Sequence, residues 1–354
     1  MPASAQTHRP AAVAGQFYPA NPAALRAQLA AWRDSPAPAA SGVAGAPKLL
    51  IVPHAGYVYS GAVAARAYAL LAPHRTQIRR VVLLGPAHRV AVNGLAMPTV
   101  AAFDTPLGSV PLDQAALAAL AGLPAVMVSD AAHVAEHALE VQLPFLQDTL
   151  AGFTLAPLAV GRARPEQVAQ VLERLWGGPE TLIVISTDLS HFLPYGQARA
   201  RDGRTIQRLL ALDATLNHEE ACGATPVNGA LLAASRHGLT PELLEYRNSG
   251  DTAGDRARVV GYAALAFWPP SPSPSVRSAG PAEPEAAALG AALLARARNA
   301  IASRLGLPLD PEPPHPALHP PPPCPPPPPT HHPTRPPDCP PPPPPPATPP
   351  PPSR

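Results

Sequence analysis

Apolar and polar positions follow two different rhythms between residues 48 and 268. Short continuous apolar runs, typical of buried strands, occupy 48–52, 80–84, 153–160, 181–185, 242–247 and 259–267. Segments with apolar residues at helical spacing lie between them, at 61–72, 113–121, 136–150, 165–176, 197–211 and 226–237. This alternation predicts an α/β fold with a central mixed, mostly parallel sheet flanked by helices. Residues 92–110 interrupt the rhythm and are typical of a hairpin insertion.

The composition changes abruptly after Phe267 and divides the chain into four parts. Residues 1–268 form the predicted globular domain, and 269–284 form a Pro/Ser-rich linker. Residues 285–318 open with an Ala/Leu-rich stretch that is helical by composition. Residues 319–354 are predicted to be a disordered polyproline tail, because proline lacks the N–H donor that helices and sheets need.

Charge and length exclude several classes of protein. The 354 residues carry 26 Lys and Arg against 24 Asp and Glu, a net charge of +2. That balance lacks the clustered basic face of a nucleic-acid-binding protein. The N-terminus has no cationic start followed by an apolar core, and no run approaches the roughly 18 apolar residues of a membrane span. A cytoplasmic protein is therefore expected, without nucleic-acid or membrane partners.

Candidate chemistry gathers where the predicted strands end. His54 follows the first strand in PHAGY, His88 follows the second in GPAHR, and Asp188 and His191 follow a third in STDLSHF. In open α/β sheets, such loops meet in the crevice beyond the carboxyl ends of the strands. Imidazole is the commonest metal ligand, so the two strand-end histidines favour a metal site over helix caps. Asp188 and His191 are the best candidates for a proton-handling pair, although they could instead cap the next helix.

Two further residues leave alternatives open. His137 shares a predicted helix face with Glu140, which is compatible with a metal pair or with a histidine held in one tautomer. Glu136 fits a charged rim on that helix at least as well. Cys222 is the only thiol of the globular part, and it precedes a predicted helix whose N-terminus would lower its pKa. It is a ligand, a nucleophile or an inert buried side chain.

Together these segments resemble the MEMO family, whose bacterial members are often labelled AmmeMemoRadiSam system protein B. The matching strings run in order over roughly residues 9–267: RPAAVAGQFYP, IVPHAGYVYSG, LLGPAHRV, FDTPLGSVPLD, EHALEVQLPF, PLAVG, STDLSHF, CGATPV, NSGD and VVGYAALAF. The resemblance implies a fold similar to class III extradiol dioxygenases, with a pocket that binds a metal. His54, His88 and Cys222 match the family's metal-ligand positions, and His137, Asp188 and His191 match residues lining the same pocket.

Two imidazoles and a thiolate suit Fe(II) or a copper ion, with Zn(II) less favoured. We expect a metal-dependent oxidoreductase, dioxygenase-like, that acts on an unknown small molecule or peptide. In it, His191 would serve as acid or base and be oriented by Asp188, with His137 as a further catalytic residue of the pocket. A cysteine where extradiol dioxygenases hold a carboxylate argues against catechol cleavage. The alternatives are a non-catalytic module that binds a peptide or protein partner in the same pocket, and a metal storage or delivery protein.

The segment 285–318 is similar to the opening helix and HPAL turn of the AMMECR-like family. That similarity implies AMMECR-like and radical SAM proteins as partners, since members of these families are fused or encoded together. The match covers about thirty residues before the polyproline run begins. We interpret the run as GC-rich DNA read out of frame, which would truncate a fusion protein. The alternative is a genuine proline-rich tail that offers extended ligands to SH3-like partners.

Overall fold

The computed structural model describes residues 7–33, 45–252 and 254–270, together with the isolated residues 292, 293, 295, 296, 299 and 311. The chain divides into two compact units, residues 1–274 and 275–354. In the second unit, five of the six described residues are helical. The linker from 271 onward, the rest of the AMMECR-like segment and the polyproline tail lie outside the described residues.

Twelve strands are described in the first unit. In chain order they are β1 (His8–Arg9), β2 (Leu49–Val52), β3 (Arg80–Pro86), β4 (Leu95–Met97), β5 (Ala102–Thr105), β6 (Gly108–Pro111), β7 (Val126–Val128), β8 (Thr154–Val160), β9 (Thr181–Ser186), β10 (His191–Leu193), β11 (Thr240–Asn248) and β12 (Val259–Trp268).

The described helices pack around these strands. They are α1 (Pro22–Arg33), α2 (Tyr57–Ala69), α3 (Gln114–Ala118), α4 (Ala131–Val134), α5 (His137–Glu140), α6 (Leu143–Thr149), α7 (Pro165–Arg174), α8 (Tyr195–Leu210), α9 (Ala224–Arg236) and α10 (Ser249–Thr252), with a 3-10 turn at Ala72–His74.

Nine of these strands form the main sheet, in the order β10-β12-β2-β9-β3-β8-β4-β7 with β11 paired to β12. The four strands at its centre, β2, β9, β3 and β8, are parallel, while β12 and β4 run antiparallel on either side. The central strands are almost entirely buried, as expected of parallel strands covered by helices on both faces. The predicted α/β fold with a mixed sheet flanked by helices is confirmed.

Two local predictions differ from the structure. Leu95–Met97 belongs to the main sheet, and the hairpin is formed instead by β5 and β6, which join β1 in a separate three-stranded sheet. The helix predicted over 136–150 is broken into α5 and α6. Pro144 lies in the first turn of α6, where its missing N–H costs nothing, so a new helix begins there.

A buried ion pair ties the N-terminal segment to α5. Arg9 donates to the Glu140 carboxylate at 2.7 Å and to the carbonyls of His133 and Glu136 at 2.6 and 2.7 Å. Glu140 also accepts from the Tyr18 hydroxyl at 2.6 Å and from two backbone N–H groups. Because both charges are buried and hydrogen-bonded to each other and to nearby groups, this pair fixes α5 against the N-terminal segment.

The only lysine of the chain, Lys48, lies directly before β2, at the end of the sheet where this central strand begins. Its buried ammonium donates to the carbonyls of Gly178 and Thr181 at 2.9 Å and also contacts the Trp176 carbonyl. Burial lowers the pKa of Lys48 to about 8. The surrounding carbonyls suit a compact ammonium with three donors, whereas a planar guanidinium does not match their arrangement.

We therefore expect Lys48→Arg and Lys48→Met both to destabilise the fold, by roughly 1–3 kcal/mol each, because each variant leaves buried carbonyls without a well-placed donor. Urea denaturation measures the change. The control is Arg26→Met on the exposed face of α1, which should shift stability by less than about 0.5 kcal/mol. Full stability of Lys48→Arg would contradict this account of the carbonyl cluster.

Candidate metal centre

The parallel register of three strands brings the predicted site together. β2, β9 and β3 are neighbours, and Val52 pairs with Ser186 where β2 and β9 end. His54, Asp188 and His88 each lie two residues beyond the end of their own strand. The carboxyl ends of these strands therefore place the three side chains at one edge of the sheet.

Cys222 reaches the same edge from the start of α9. Its N–H donates to the Asp188 carbonyl at 3.2 Å, and the N–H of Gly223 donates to the Thr187 hydroxyl at 2.9 Å. A side chain at Gly223 would bring a Cβ within 2.9 Å of both Thr187 and the Ser186 carbonyl. Glycine at this position is therefore what allows the cysteine loop to lie against the end of β9.

His54 is buried at the base of the site with a defined tautomer. Its Nδ1 lies 2.9 Å from the Ser186 hydroxyl, which already donates to the Ala138 carbonyl and accepts from the Gln142 amide. That hydroxyl has only a lone pair left for His54, so Nδ1 carries the proton. The Nε2 lone pair then points at Cys222 Sγ, 3.3 Å away. Burial, helped by His88 and His191, lowers the pKa of His54 to about 3 and keeps the ring neutral.

Glu136 fixes His88 in the same tautomer. One carboxylate oxygen accepts from the His88 ring Nδ1 at 2.9 Å, and the other accepts from its backbone N–H at 2.6 Å. Burial would raise the pKa of Glu136, but hydrogen bonds from His88 and Ala138 outweigh it and lower the pKa to about 2. Glu136 is thus an ionised acceptor, and the Nε2 lone pair of His88 is free. The charged-rim interpretation of Glu136 is wrong, since its side chain is buried.

Cys222 completes the group. Its sulfur accepts from the Asp188 N–H at 3.3 Å and lies 3.7 Å from the Thr187 hydroxyl. Burial, with the nearby Asp188 carboxyl, raises the pKa of the thiol to about 12. The sequence-based expectation of a lowered thiol pKa is therefore wrong for the protein without a cation, because desolvation exceeds any effect of the helix N-terminus. A bound cation would reverse this, since a coordinated thiol loses its proton.

The ligand atoms of His54, His88 and Cys222 all lie within 4.8 Å of one another. Two tetrahedral ligands with metal–N and metal–S bonds of about 2.0 and 2.3 Å are about 3.5 Å apart, close to the 3.3 Å between His54 Nε2 and Cys222 Sγ. This donor set fits a transition metal. A second group, of His88, Glu136 and His137, is equally compact, but its carboxylate is already occupied as the acceptor for His88.

His137 lies beside this group. Its ring stacks on His88 at 4.7 Å between centroids and contacts the ring of Phe17 at 4.8 Å. Within the described residues its buried Nδ1 has no hydrogen-bond partner, although Glu136 Oε1 lies 3.4 Å away. Burial, helped by His54, lowers the pKa of His137 to about 4. Glu140, predicted to share its helix face, binds Arg9 instead.

Asp188 and His191 occupy the site but are oriented by other partners. Asp188 Oδ1 accepts from the His54 N–H at 2.7 Å, and Oδ2 lies 4.0 Å from His54 Nε2. His191 Nδ1 donates to the Leu189 carbonyl at 2.8 Å, which leaves its Nε2 lone pair free. Among the hydrogen bonds of the described part of the chain, none joins Asp188 to His191, so the predicted orienting bond is wrong. Burial raises the pKa of Asp188.

Sequence reasoning did not assign site roles to the residues that support the histidines. Glu136 directly precedes His137, and its role appears only once α5 is placed against β3. Ser186 and Gln142 are distant in sequence from His54, and their contacts depend on the segment between α5 and α6 lying against the end of β9. The only local signal was the polar residue at the end of each strand.

The motifs and the geometry agree with comparisons to known proteins. The model of the Memo-like protein family matches residues 9–266. The chain is 38% identical over 282 residues to a MEMO1 family protein of Methanopyrus kandleri, an alignment covering 73% of this chain and 98% of that protein. It is 34% identical over 272 residues to a MEMO1 family protein of Archaeoglobus fulgidus, covering 72% and 97%. The chain therefore belongs to the Memo-like family, as its motifs predicted.

A crystal structure of an uncharacterized protein from Escherichia coli K12 aligns with a TM-score of 0.42 at 15% identity, covering 62% of this chain and 98% of that chain. That similarity is too low to support an argument. The AMMECR-like segment lies outside the matched residues 9–266, so it stays a prediction. In the part of the chain that the structure describes, no helix is long and apolar enough to cross a membrane.

We expect Gly223→Ala to disturb the site specifically, because the added Cβ would push the cysteine loop away from β9. The affinity of this variant for the metal should fall at least tenfold, and its free energy of unfolding should fall by roughly 1–3 kcal/mol. Metal titration and urea denaturation measure the two effects. Gly203→Ala in α8 is the matched control, since its Cβ meets nothing within 4 Å. Equal metal binding by both variants would contradict this placement of Cys222.

Proposed function

We propose that the protein binds a redox-active metal ion, iron or copper, through His54, His88 and Cys222, and that it acts as a metal-dependent oxidoreductase. The observation that carries the proposal is that two imidazoles, each held at Nδ1, bring a ligand nitrogen within 4.8 Å of the Cys222 sulfur and of each other. Ser186 and Glu136 hold the Nδ1 atoms, so both Nε2 atoms are available without rearrangement. Such anchoring of ligand histidines is typical of metal sites.

The bound metal would supply one-electron chemistry and an open coordination position for a substrate or for O₂. The protein would hold the metal, orient its histidine ligands and exclude water from the site. His54 is buried at the base of the pocket, whereas the His88 side chain is 29% exposed and lies toward its mouth. A substrate therefore approaches from the side of His88.

His191 is the residue best placed to move a proton. Its Nδ1 is held by the Leu189 carbonyl, so Nε2 is the atom that accepts or returns the proton. Asp188 accepts a hydrogen bond from the backbone N–H of His54. It therefore positions His54 rather than His191. His137 stacks on His88 and keeps its ring plane fixed.

The metal assignment predicts that each of three single variants loses the bound metal. The full chain, purified anaerobically, should hold close to one iron or copper ion, and His54→Ala, His88→Ala and Cys222→Ser should each hold far less, because each removes one of three ligands. Elemental analysis gives the stoichiometry. The control is His74→Ala, at a partly exposed histidine that precedes β3 at the opposite end of the strands, and this variant should keep the metal.

Three results would change the proposal. A parent protein that cannot be loaded, while the variants fold equally well, would contradict the metal site and favour the binding-module alternative. Tight, reversible metal binding without any redox cycling would favour storage or delivery. Zinc at full occupancy, with iron and copper excluded, would contradict the redox chemistry.

Metal affinity should depend on pH through the Cys222 proton. The thiol pKa is raised to about 12 without a cation, so between pH 7 and 9 each metal bound releases one proton from sulfur. The apparent affinity should therefore rise about tenfold per pH unit over that range. His54 has a pKa of about 3 and adds nothing there. Competition with a chelator at several pH values measures the slope, and Cys222→Ser should abolish it. An equal slope in both proteins would contradict thiolate ligation.

A further inference from the structure

The backbone next to His191 is strained at an exposed aromatic residue. Phe192 adopts a left-handed conformation with φ of 58°, which bulky residues rarely do, and its side chain is 60% exposed. Its ring centroid lies 5.7 Å from that of His191. A large apolar side chain that is both strained and solvated adds little to the stability of the fold. Strain of this kind concentrates at functional sites.

Arg258 lies against the same ring. Its guanidinium carbon is 5.0 Å from the Phe192 ring centroid, and the residue is exposed. No ion pair joins Arg258 to a carboxylate of the described residues. A guanidinium that rests on an aromatic face keeps its N–H donors in its own plane, where they can bind an anion in bidentate fashion. The pair therefore offers a flat apolar surface and an unused cation side by side.

The neighbouring cations are two arginines that pack on another aromatic ring. Arg199 and Arg256 lie over the ring of Tyr195, at 5.8 and 4.5 Å. The acidic residues nearby are Asp251, which accepts from the Tyr195 hydroxyl, and Asp255, which accepts from a backbone N–H. A third carboxylate, the buried Asp202, accepts from the Tyr246 hydroxyl and the Ser190 N–H. All three carboxylates are therefore already engaged, and Arg258 has no carboxylate partner among the described residues.

We propose that Phe192 and Arg258 form the substrate-recognition surface of the metal pocket, and that the substrate is an organic anion whose flat, unsaturated part lies on Phe192 while its carboxylate or phosphate pairs with Arg258. This inference rests on the proposed function of the pocket. A substrate held there lies next to His191, because the His191 and Phe192 ring centroids are 5.7 Å apart. Phe192 and Arg258 are binding residues, and the chemistry stays with the metal ligands and His191.

The test compares three small probes on the metal-loaded full chain: benzoate, phenyl phosphate and the neutral benzamide. Dissociation constants come from NMR titration of the probe resonances. The proposal predicts that at least one anion binds tenfold or more tightly than benzamide. It also predicts that Arg258→Gln abolishes this preference while Arg75→Gln, at the opposite edge of the sheet, keeps it. The anion that binds more tightly, benzoate or phenyl phosphate, shows whether a carboxylate or a phosphate is recognised.

A benzoate affinity equal to that of benzamide would overturn the proposal, and so would a preference that survives Arg258→Gln, since the anion would then be bound elsewhere. The same titrations on His54→Ala separate the two hypotheses. If the preference persists without metal, the recognition surface stands even where the metal function fails. If metal binds fully and the parent shows no preference, only the recognition surface fails.

Phe192→Gly distinguishes a binding role from a structural one. Glycine relieves the left-handed backbone and removes an exposed ring, so the melting temperature should change by no more than about 3 °C. All three probes should nevertheless bind several-fold more weakly. A large fall in melting temperature with unchanged probe binding would show that Phe192 is a packing residue and would overturn its assigned role.

Discussion

The site depends on the hydrogen-bond acceptors that hold the Nδ1 atoms of three of its histidines. Ser186 does this for His54, Glu136 for His88 and the Leu189 carbonyl for His191. A neutral imidazole that donates through Nδ1 presents a lone pair at Nε2. The three rings therefore offer the same nitrogen to the pocket, and two of these nitrogens belong to the group that can hold a metal with Cys222.

The acceptors for His54 and His88 are placed by buried structure rather than by the loops that carry these histidines. Ser186 is the last residue of a buried strand, and Glu136 directly precedes α5. The Arg9–Glu140 pair, with Arg9 also bound to the Glu136 carbonyl, fixes α5 against the N-terminal segment. The ligand positions thus inherit the rigidity of the sheet and of a buried ion pair. Backbone strain is found instead at the exposed Phe192, next to His191.

The sequence was sufficient for the fold class and for the residues that share the site. Continuous apolar runs marked the parallel strands, and polar residues after each run marked the edge where His54, His88 and Asp188 meet. The motifs also gave the family. Local pattern could not show which partner each side chain takes, because Glu136 and Gln142 reach the site only through tertiary packing. It also missed the helix break at Pro144, where helical periodicity continues across two separate helices.

Desolvation explains the main chemical difference from the sequence-based picture. The helix that follows Cys222 predicted a lowered thiol pKa, but burial beside Asp188 raises it. The same burial keeps His54 and His137 neutral. A pocket that disfavours a bare thiolate yet offers neutral imidazole lone pairs is matched to a cation, which would stabilise the thiolate and use the lone pairs together.

The central claim, that one metal ion is shared by His54, His88 and Cys222, is tested most directly by X-ray absorption spectroscopy of the full chain loaded with iron or copper. The account predicts one sulfur at about 2.3 Å and imidazole nitrogens at about 2.0 Å. The sulfur contribution should be absent from Cys222→Ser. A first coordination sphere of nitrogen and oxygen alone in the parent protein would contradict it.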